Sequence, residues 1–151
     1  MKQAVLILPT YNEKENIESL IIGNGPEKEN LLKLAKELKV SDRLHLLGFI
    51  DEEKKFQYLD NSDVYVLSSL HEGFGIVLQE AMQIGLPIVA TNNGGQVDFI
   101  KNGKNGFLVN VGDEKVLSKT ISKLIKKSLR YNNLIEKFSL KTISGDYLRL
   151  K

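Results

Sequence analysis

Short apolar runs alternate with longer amphipathic stretches along the chain. Such runs are typical of strands that are buried on both faces, and the amphipathic stretches between them are typical of helices that cover a parallel sheet. The pattern predicts six strands, at residues 4–8, 19–22, 43–47, 64–67, 87–90 and 106–109. We therefore expect an α/β fold.

Helices are predicted between these strands. They cover residues 27–38, 51–59, 75–84, a segment that begins after Asp113, and residues 134–148. Asp51 and Asp113 each precede an amphipathic stretch, where an aspartate accepts hydrogen bonds from the free backbone N–H groups at a helix start. Because helices alternate with strands, the expected architecture is a three-layer, Rossmann-like domain with a mostly parallel sheet and helices on both faces.

Length and composition narrow the possible functions. The 151 residues suit a single domain, residues 1–151, of which residues 1–20 form an atypical first strand and helix. The formal charge of +2 is too small to indicate binding to nucleic acid or association with a membrane surface. The chain has no cysteine and two histidines, so a disulfide framework is excluded and a zinc site is not expected. A cytoplasmic location is the expectation.

Residues 71–82 are the candidate for chemistry. They follow a predicted buried strand, and open α/β sheets bind ligands beyond the carboxyl ends of their strands. Gly73 and Gly75 let the backbone approach a ligand closely, and the start of the next helix favours an anion such as a diphosphate. Glu72 lies in this turn, and Glu80 lies about 7 Å along the helix from Gly75. The two carboxylates can accept hydrogen bonds from sugar and ribose hydroxyls.

A second strand and glycine turn follow at residues 87–95. Gly94 and Gly95 lie between the predicted strand and the next helix, so this turn is a second candidate for anion binding. Taken alone, each glycine turn also has a purely structural interpretation, because strand, turn and helix recur in many proteins without a ligand. For His45, on a strand, and His71, in the loop, we expect no catalytic role.

The order of these motifs resembles the carboxy-terminal domains of retaining glycosyltransferases of the GT-B fold. Those domains carry a glutamate, seven residues and a second glutamate, and Glu72 and Glu80 match that spacing. The resemblance runs from about residue 21 to 150, through residues 23–26, 43–49, 72–75, 80–82, 85–87 and 94–95. It implies transfer of a hexose from a nucleotide diphosphate sugar, which is the expected partner, without a metal or other cofactor.

The resemblance also implies roles for individual residues. Glu72 is the implied catalytic residue and contacts the hydroxyls of the donor sugar near its anomeric centre, while Glu80 binds the ribose hydroxyls. The other implied donor contacts are the backbone of Gly73, Phe74 and Gly75, the turn at Gly48 and Phe49 beside the base, and Gly25, Ile76, Leu78, Gly94 and Gly95. Asp98 stands where the family usually has a glutamate, and we assign it no role.

The opening of the chain departs from this family. The family's domain starts with a strand and loop whose arginine and lysine neutralise the departing diphosphate, and before Gly23 only Lys14 could approximate one such charge. Residues 6–17 instead resemble the opening of polyprenyl-phosphate sugar synthases of the GT-A fold, whose Asp-x-Asp metal site is not evident here. The two resemblances meet near Leu20, as in a chimera. Because both openings are a strand followed by a helix, we expect this segment to fill the same slot in a parallel sheet.

Three hypotheses about function remain open. The first is a sugar transferase that needs a separate acceptor-binding domain, because a GT-B enzyme closes two domains around donor and acceptor; turnover by this chain alone is then expected to be weak or absent. The second is a non-catalytic nucleotide-binding module or a fold-only chimera that lacks the acceptor domain. The third is a structural domain whose glycine loop stays empty.

Overall fold

A computed structural model describes residues 4–9, 17–69 and 76–128. The strands are β1 (Ala4–Pro9), β2 (Ile17–Ile22), β3 (Leu44–Gly48), β4 (Val64–Leu67), β5 (Ile88–Thr91) and β6 (Phe107–Val109). The α-helices of the described residues are α1 (Lys28–Glu37), α2 (Glu52–Asp60), α3 (Ile76–Ile84), α4 (Gln96–Phe99) and α5 (Glu114–Ser128). All six predicted strands are confirmed, with bounds that differ by at most two residues. The helix expected at residues 134–148 lies outside the described residues.

The six strands form one sheet in the order β3-β2-β1-β4-β5-β6. The pairs β2 with β3, β4 with β5, and β5 with β6 are parallel. The central strand β1 is antiparallel to both of its neighbours, β2 and β4. All strands except β1 therefore point the same way, and the expected mostly parallel sheet is confirmed.

The direction of β1 corrects the expectation that the opening fills a parallel slot. In the sheet register Ala4 lies opposite Ile22 and Pro9 lies opposite Ile17. Only residues 10–16 join the two strands, whereas a parallel crossover needs about a dozen residues or more. Residues 17 and 18, which fell in the predicted opening helix, belong instead to strand β2, whose start was predicted at residue 19. The remainder of that helix, residues 10–16, lies outside the described residues.

The core lies on both faces of the sheet, as expected for three layers. All four residues of β4 are buried, and consecutive side chains of a strand point to opposite faces. Tyr65 and Leu67 belong to one buried cluster, which α3 joins through Leu78 and Ala81. The second cluster contains the other two β4 residues, together with Leu124 and Ile125 of α5. Helices α3 and α5 therefore cover opposite faces of the sheet.

Two aspartates start helices as predicted. The Oδ1 atom of Asp51 accepts a hydrogen bond from the backbone N–H of Lys54 at 2.7 Å, at the start of α2. The Oδ1 atom of Asp113 accepts one from the backbone N–H of Val116 at 3.0 Å, at the start of α5. Each bond satisfies an N–H group that has no partner within its own helix. The Asp51 cap fixes where α2 begins, and α2 forms one side of the candidate site.

Candidate functional site

The carboxyl ends of strands β2 to β5 meet at one edge of the sheet. A cavity of about 180 Å³ lies there, and we call it the edge cavity. Its lining residues come from the end of β2, the turn after β3, helix α2, strand β4 and helix α3: Ile22, Gly23, Phe49, Ile50, Glu52, Lys55, Leu59, Tyr65, Val77 and Glu80. This position, where an open α/β sheet usually binds its ligand, agrees with the expectation from the sequence.

Glu80 lies in the second turn of α3 and lines the edge cavity. Its side chain is only 17% exposed. One carboxylate oxygen, Oε1, accepts a hydrogen bond from the ammonium of Lys55 at 2.9 Å. The other oxygen, Oε2, is buried and has no hydrogen-bond partner among the described residues. A buried carboxylate oxygen without a donor is costly, so a ligand hydroxyl that reached Oε2 would stabilise it.

Lys55 lies on α2 between two carboxylates. Its Nζ atom donates to Glu52 Oε2 at 2.7 Å and to Glu80 Oε1 at 2.9 Å, and its side chain is 16% exposed. Desolvation acts on the pKa of Lys55 most strongly and lowers it, but the hydrogen bonds and negative charges of Glu52 and Glu80 together outweigh it. The pKa of Lys55 is therefore raised above its ordinary value. The lysine stays charged, and it neutralises a carboxylate that water reaches poorly.

The turn after β3 supplies the opposite wall. The backbone N–H of Gly23 donates to the carbonyl of Gly48 at 2.7 Å, which joins the ends of β2 and β3. Gly48 has a φ of +67°, a left-handed conformation that favours glycine. The next residue, Phe49, lines the cavity although its side chain is 75% exposed. An exposed aromatic ring at a cavity mouth can stack on a flat ligand ring.

Apolar side chains form the rest of the cavity. Ile22, Ile50, Leu59 and Val77 line it, and the charged groups come from α2 and α3. Apolar walls with a few convergent polar groups are typical of small-molecule sites. A nucleoside matches this arrangement chemically, because its base is flat and its ribose carries hydroxyl donors.

The loop that carries the other predicted site residues is outside the described residues. It contains Glu72, Gly73, Phe74 and Gly75, whose assignments to the donor sugar and diphosphate stay predictions, and also His71, for which we expect no catalytic role. Both ends of this loop lie in described structure, at Ser69 and at Ile76, where α3 begins.

A buried network holds the chain just before this loop. The hydroxyl of Thr91 donates to the backbone carbonyl of Ser69 at 2.6 Å. The side-chain amide of Gln96, which is fully buried, donates to the carbonyl of Thr91 at 3.0 Å and to its hydroxyl oxygen at 3.1 Å. The end of β5 thus fixes the entry of the loop, although sequence reasoning gave neither Thr91 nor Gln96 a role.

The remaining predicted residues do not line the edge cavity. Gly94 has a φ of +80°, and Gly95 is the cap residue of the four-residue helix α4. Ile76 is exposed at the start of α3, whereas the side chain of Leu78 is fully buried in the core. Leu78 therefore stabilises the fold and offers no side chain to a ligand in the cavity. Gly25 lies in the turn before α1 and accepts a hydrogen bond from the backbone N–H of Lys28 at 3.3 Å.

Lys14 and the histidine of β3 are two further charged or titratable residues that were considered from the sequence. Lys14 lies outside the described residues, and its flanking residues Pro9 and Ile17 lie at the end of the β1–β2 pair opposite Ile22. His45 lies on β3 and does not line the edge cavity; its Nε2 atom is 3.2 Å from Glu18 Oε2.

The described residues include no group of three histidine, aspartate or glutamate side chains that could hold a metal ion. Within the same residues, no helix has the length and apolar character to cross a membrane.

Lys55 and Glu52 are the charged residues of the edge cavity that sequence reasoning missed. Lys55 is 25 positions before Glu80 in the chain. No motif or spacing relates a lysine on one helix to a glutamate on the next, so only the packing of α2 beside α3 shows the pair. Phe49 and Glu80, which the sequence did predict, line the same cavity.

Comparisons with known proteins agree with this geometry. Residues 1–139 match the family described as Glycosyl transferases group 1. The lipopolysaccharide core biosynthesis glycosyltransferase LpsE of Rhizobium meliloti is 36% identical over 138 residues, which are 86% of this chain and 40% of that protein. The solved structure of HepE from Anabaena in complex with UDP is 25% identical, with a TM-score of 0.67 over 87% of this chain and 39% of HepE.

A solved single domain has the same fold. It is the C-terminal domain of a glycosyl transferase group 1 family protein (LpcC) from Francisella tularensis, with 23% identity and a TM-score of 0.66 over 80% of this chain and 62% of that one. The chain spans less than half the length of LpsE and HepE. The predicted resemblance to the carboxy-terminal domain of a GT-B glycosyltransferase is confirmed, and the chain belongs to the glycosyl transferases group 1 family.

Proposed function

We propose that this chain binds the nucleotide diphosphate sugar donor of a retaining glycosyltransferase, with the nucleoside in the edge cavity. The observation that carries the proposal is that Glu80 lines a cavity with apolar walls and that its buried Oε2 atom has no partner among the described residues. Such an oxygen is stabilised by a hydroxyl donor, and a ribose supplies hydroxyl donors beside a flat, largely apolar base. The solved complexes of HepE with UDP and with UDP-glucose support a nucleotide in this fold.

Each part of the donor has its own contacts in this proposal. The base stacks against Phe49 beside the turn at Gly48, and the ribose hydroxyls donate to Glu80. The diphosphate and the sugar lie along residues 72–75, where backbone N–H groups and Glu72 contact them. Gly94 and Gly95 form the second glycine turn of the same sheet edge and offer backbone N–H groups to the donor.

The proposed reaction transfers a hexose with retention of its anomeric configuration. The bond between the anomeric carbon and the diphosphate oxygen breaks, and the acceptor hydroxyl forms the new bond and loses its proton. The nucleoside diphosphate leaves as an anion, which oriented N–H groups stabilise without a metal ion. A separate acceptor-binding domain supplies the second half of the cleft, so the chain alone turns over weakly or not at all.

A binding experiment tests the central contact. Uridine and guanosine diphosphate are titrated by calorimetry into the full chain, into Glu80→Gln and into Glu53→Gln, a matched change of an exposed acid on α2. Glu80→Gln is expected to weaken the better nucleotide by about 10- to 100-fold, because the charged acceptor is replaced by an amide that has a single, uncharged acceptor oxygen. Glu53→Gln is expected to bind as the natural chain does, and circular dichroism verifies that both variants fold.

Two outcomes would decide between the hypotheses. Absence of binding to both nucleotides at millimolar concentration would refute the proposal and favour a structural domain. Binding without transfer of a radiolabelled hexose, even after an acceptor-binding domain from a relative is added, would favour a non-catalytic nucleotide-binding module.

A further inference from the structure

We propose that Lys55 is a positioning residue, which holds Glu80 so that its Oε2 atom meets the ribose of the donor. The inference rests on the proposed function and extends it to a residue on a different helix. In this proposal Lys55 increases the preference for a ribose over a sugar without hydroxyls, and it does so through Glu80.

The geometry of Glu80 leaves one carboxylate oxygen for a ligand. Lys55 binds Oε1 at 2.9 Å, while Oε2 is buried and no described residue is its partner. A glutamate side chain has several rotatable bonds, and the lysine restricts them by fixing one end of the carboxylate. The free oxygen is thereby oriented before the ligand arrives, which lowers the entropic cost of binding.

Two carboxylates fix the position of the Lys55 ammonium. Glu52, one turn earlier on α2, binds the same ammonium at 2.7 Å, and its own side chain is 77% exposed. The ammonium therefore bridges an exposed carboxylate and a mostly buried one. Without Lys55 the Glu80 carboxylate would lose its ion-pair partner, and burial would favour its movement towards water.

The neighbouring lysine provides a matched control. Lys54 forms an ion pair with Asp51 at 3.5 Å, and both side chains are mostly exposed, at 64% and 59%. Lys54 does not line the edge cavity. Lys54→Met and Lys55→Met therefore remove the same charge from adjacent positions of one helix, and only the second change affects Glu80.

The test measures discrimination rather than affinity alone. Uridine diphosphate is compared with its 2′,3′-dideoxy analogue, which lacks both ribose hydroxyls. Each ligand is titrated into the natural full chain and into the two variants. Guanosine diphosphate and its dideoxy analogue form a second series. Lys55→Met is expected to weaken the ribonucleotide about 10-fold and the dideoxy analogue less than about 2-fold, so that the ratio between them falls. Lys54→Met is expected to leave both affinities and their ratio unchanged.

A purely structural role would weaken both ligands equally and leave this ratio unchanged. Should Lys55→Met fail to fold, Lys55→Arg provides the second measurement. Arginine keeps the charge but carries it on a longer, planar group, so its ratio is expected to lie between those of the natural chain and of an uncoupled Glu80. A ratio equal to that of the natural chain in every folded Lys55 variant would overturn the inference.

The same titrations separate this inference from the proposed function. A natural chain that binds neither nucleotide, or that binds the dideoxy analogue as tightly as the ribonucleotide, overturns the ribose contact of Glu80 and the role of Lys55 together. A natural chain that prefers the ribonucleotide, with an equal preference in the Lys55 variants, leaves the proposed function intact and overturns only the role of Lys55.

Discussion

Lys54 and Lys55 are adjacent on α2, yet they belong to two different regions of the molecule. Lys54 lies on the solvent side, where its ammonium is 3.5 Å from the exposed carboxylate of Asp51. Lys55 lies on the side that faces α3, where its ammonium contacts the mostly buried carboxylate of Glu80 at 2.9 Å. One position along a helix turns a side chain by about 100°, and that rotation alone separates the two environments.

The comparison teaches that burial, rather than residue type, decides what an ion pair contributes. An exposed pair is screened by water and contributes little, with a typical value of about 0–1 kcal/mol. A mostly buried pair is costly to break, because removal of one partner leaves the other charge without compensation. The cavity side of α2 is therefore where substitutions should change stability and binding, and the solvent side is where they should not.

The largest expected effect comes from the apolar residue behind this pair. Leu59 is 3% exposed, belongs to the core and also lines the edge cavity. Leu59→Ala should lower the free energy of unfolding by about 2–3 kcal/mol, because it removes buried methyl groups and enlarges a cavity. Urea denaturation measures the change, with Gln57→Ala on the solvent side of the same helix as the control. Equal losses in the two variants would contradict the division of α2 into two sides.

The second effect isolates the buried ion pair. Lys55→Met should lower the free energy of unfolding by about 1–3 kcal/mol, and Lys54→Met should change it by less than about 0.5 kcal/mol. In a double-mutant cycle with Glu80→Gln, the coupling energy should be about 1–2 kcal/mol for Lys55. The same cycle between Lys54 and Glu80 should give no coupling. Coupling of similar size for both lysines would refute the contrast between the two regions.

Alkaline titration should produce a smaller loss of stability. The pKa of Lys55 is raised above the ordinary 10.5, since hydrogen bonds and charges of two carboxylates outweigh its desolvation. The charged lysine therefore stabilises the folded state fully below pH 10.5, and this contribution disappears as pH rises through the folded-state pKa. Denaturation at several pH values between about 9 and 12 should show a steeper decline for the natural chain than for Lys55→Met. Parallel declines would contradict the assignment.

Local sequence patterns predicted the positions of the strands and of two helix starts, but these patterns alone could not predict the direction of β1. Apolar runs located all six strands, and Asp51 and Asp113 marked two helix starts, because these signals depend on neighbouring residues. The direction of β1 depends instead on the length of its connection to β2. The strands predicted from the sequence left residues 9–18 between them, which is already short for a parallel crossover, but the resemblance to known openings suggested a parallel slot.

The candidate site also contains residues that the sequence predicted and residues that it did not. Glu80 and Phe49 were predicted from the order of motifs, and both line the edge cavity. Lys55 was not predicted, because its partner lies 25 residues away and the contact exists only through the packing of two helices. The roles of Glu72 and the glycine loop, the metal-free chemistry and the resemblance of the opening to GT-A synthases stay predictions.

The smallest effect belongs to the solvent side, at Asp51. The hydrogen bond from the backbone N–H of Lys54 is the main reason why the pKa of Asp51 is lowered below 3.8. Its charged form therefore stabilises the fold above that pH, and the contribution is lost as pH falls through the folded-state pKa. Asp51→Asn keeps a capping oxygen, so its stability at pH 7 should be nearly natural and should decline less in acid. Asp51→Ala has no capping oxygen and should unfold at a lower temperature than the natural chain at pH 7 and at pH 3. Thermal denaturation at pH 7 and pH 3 measures both variants. Because Asp51 acts only on the start of α2, neither variant should alter the preference for ribonucleotides; a change in that preference would show that the two sides of α2 are coupled after all.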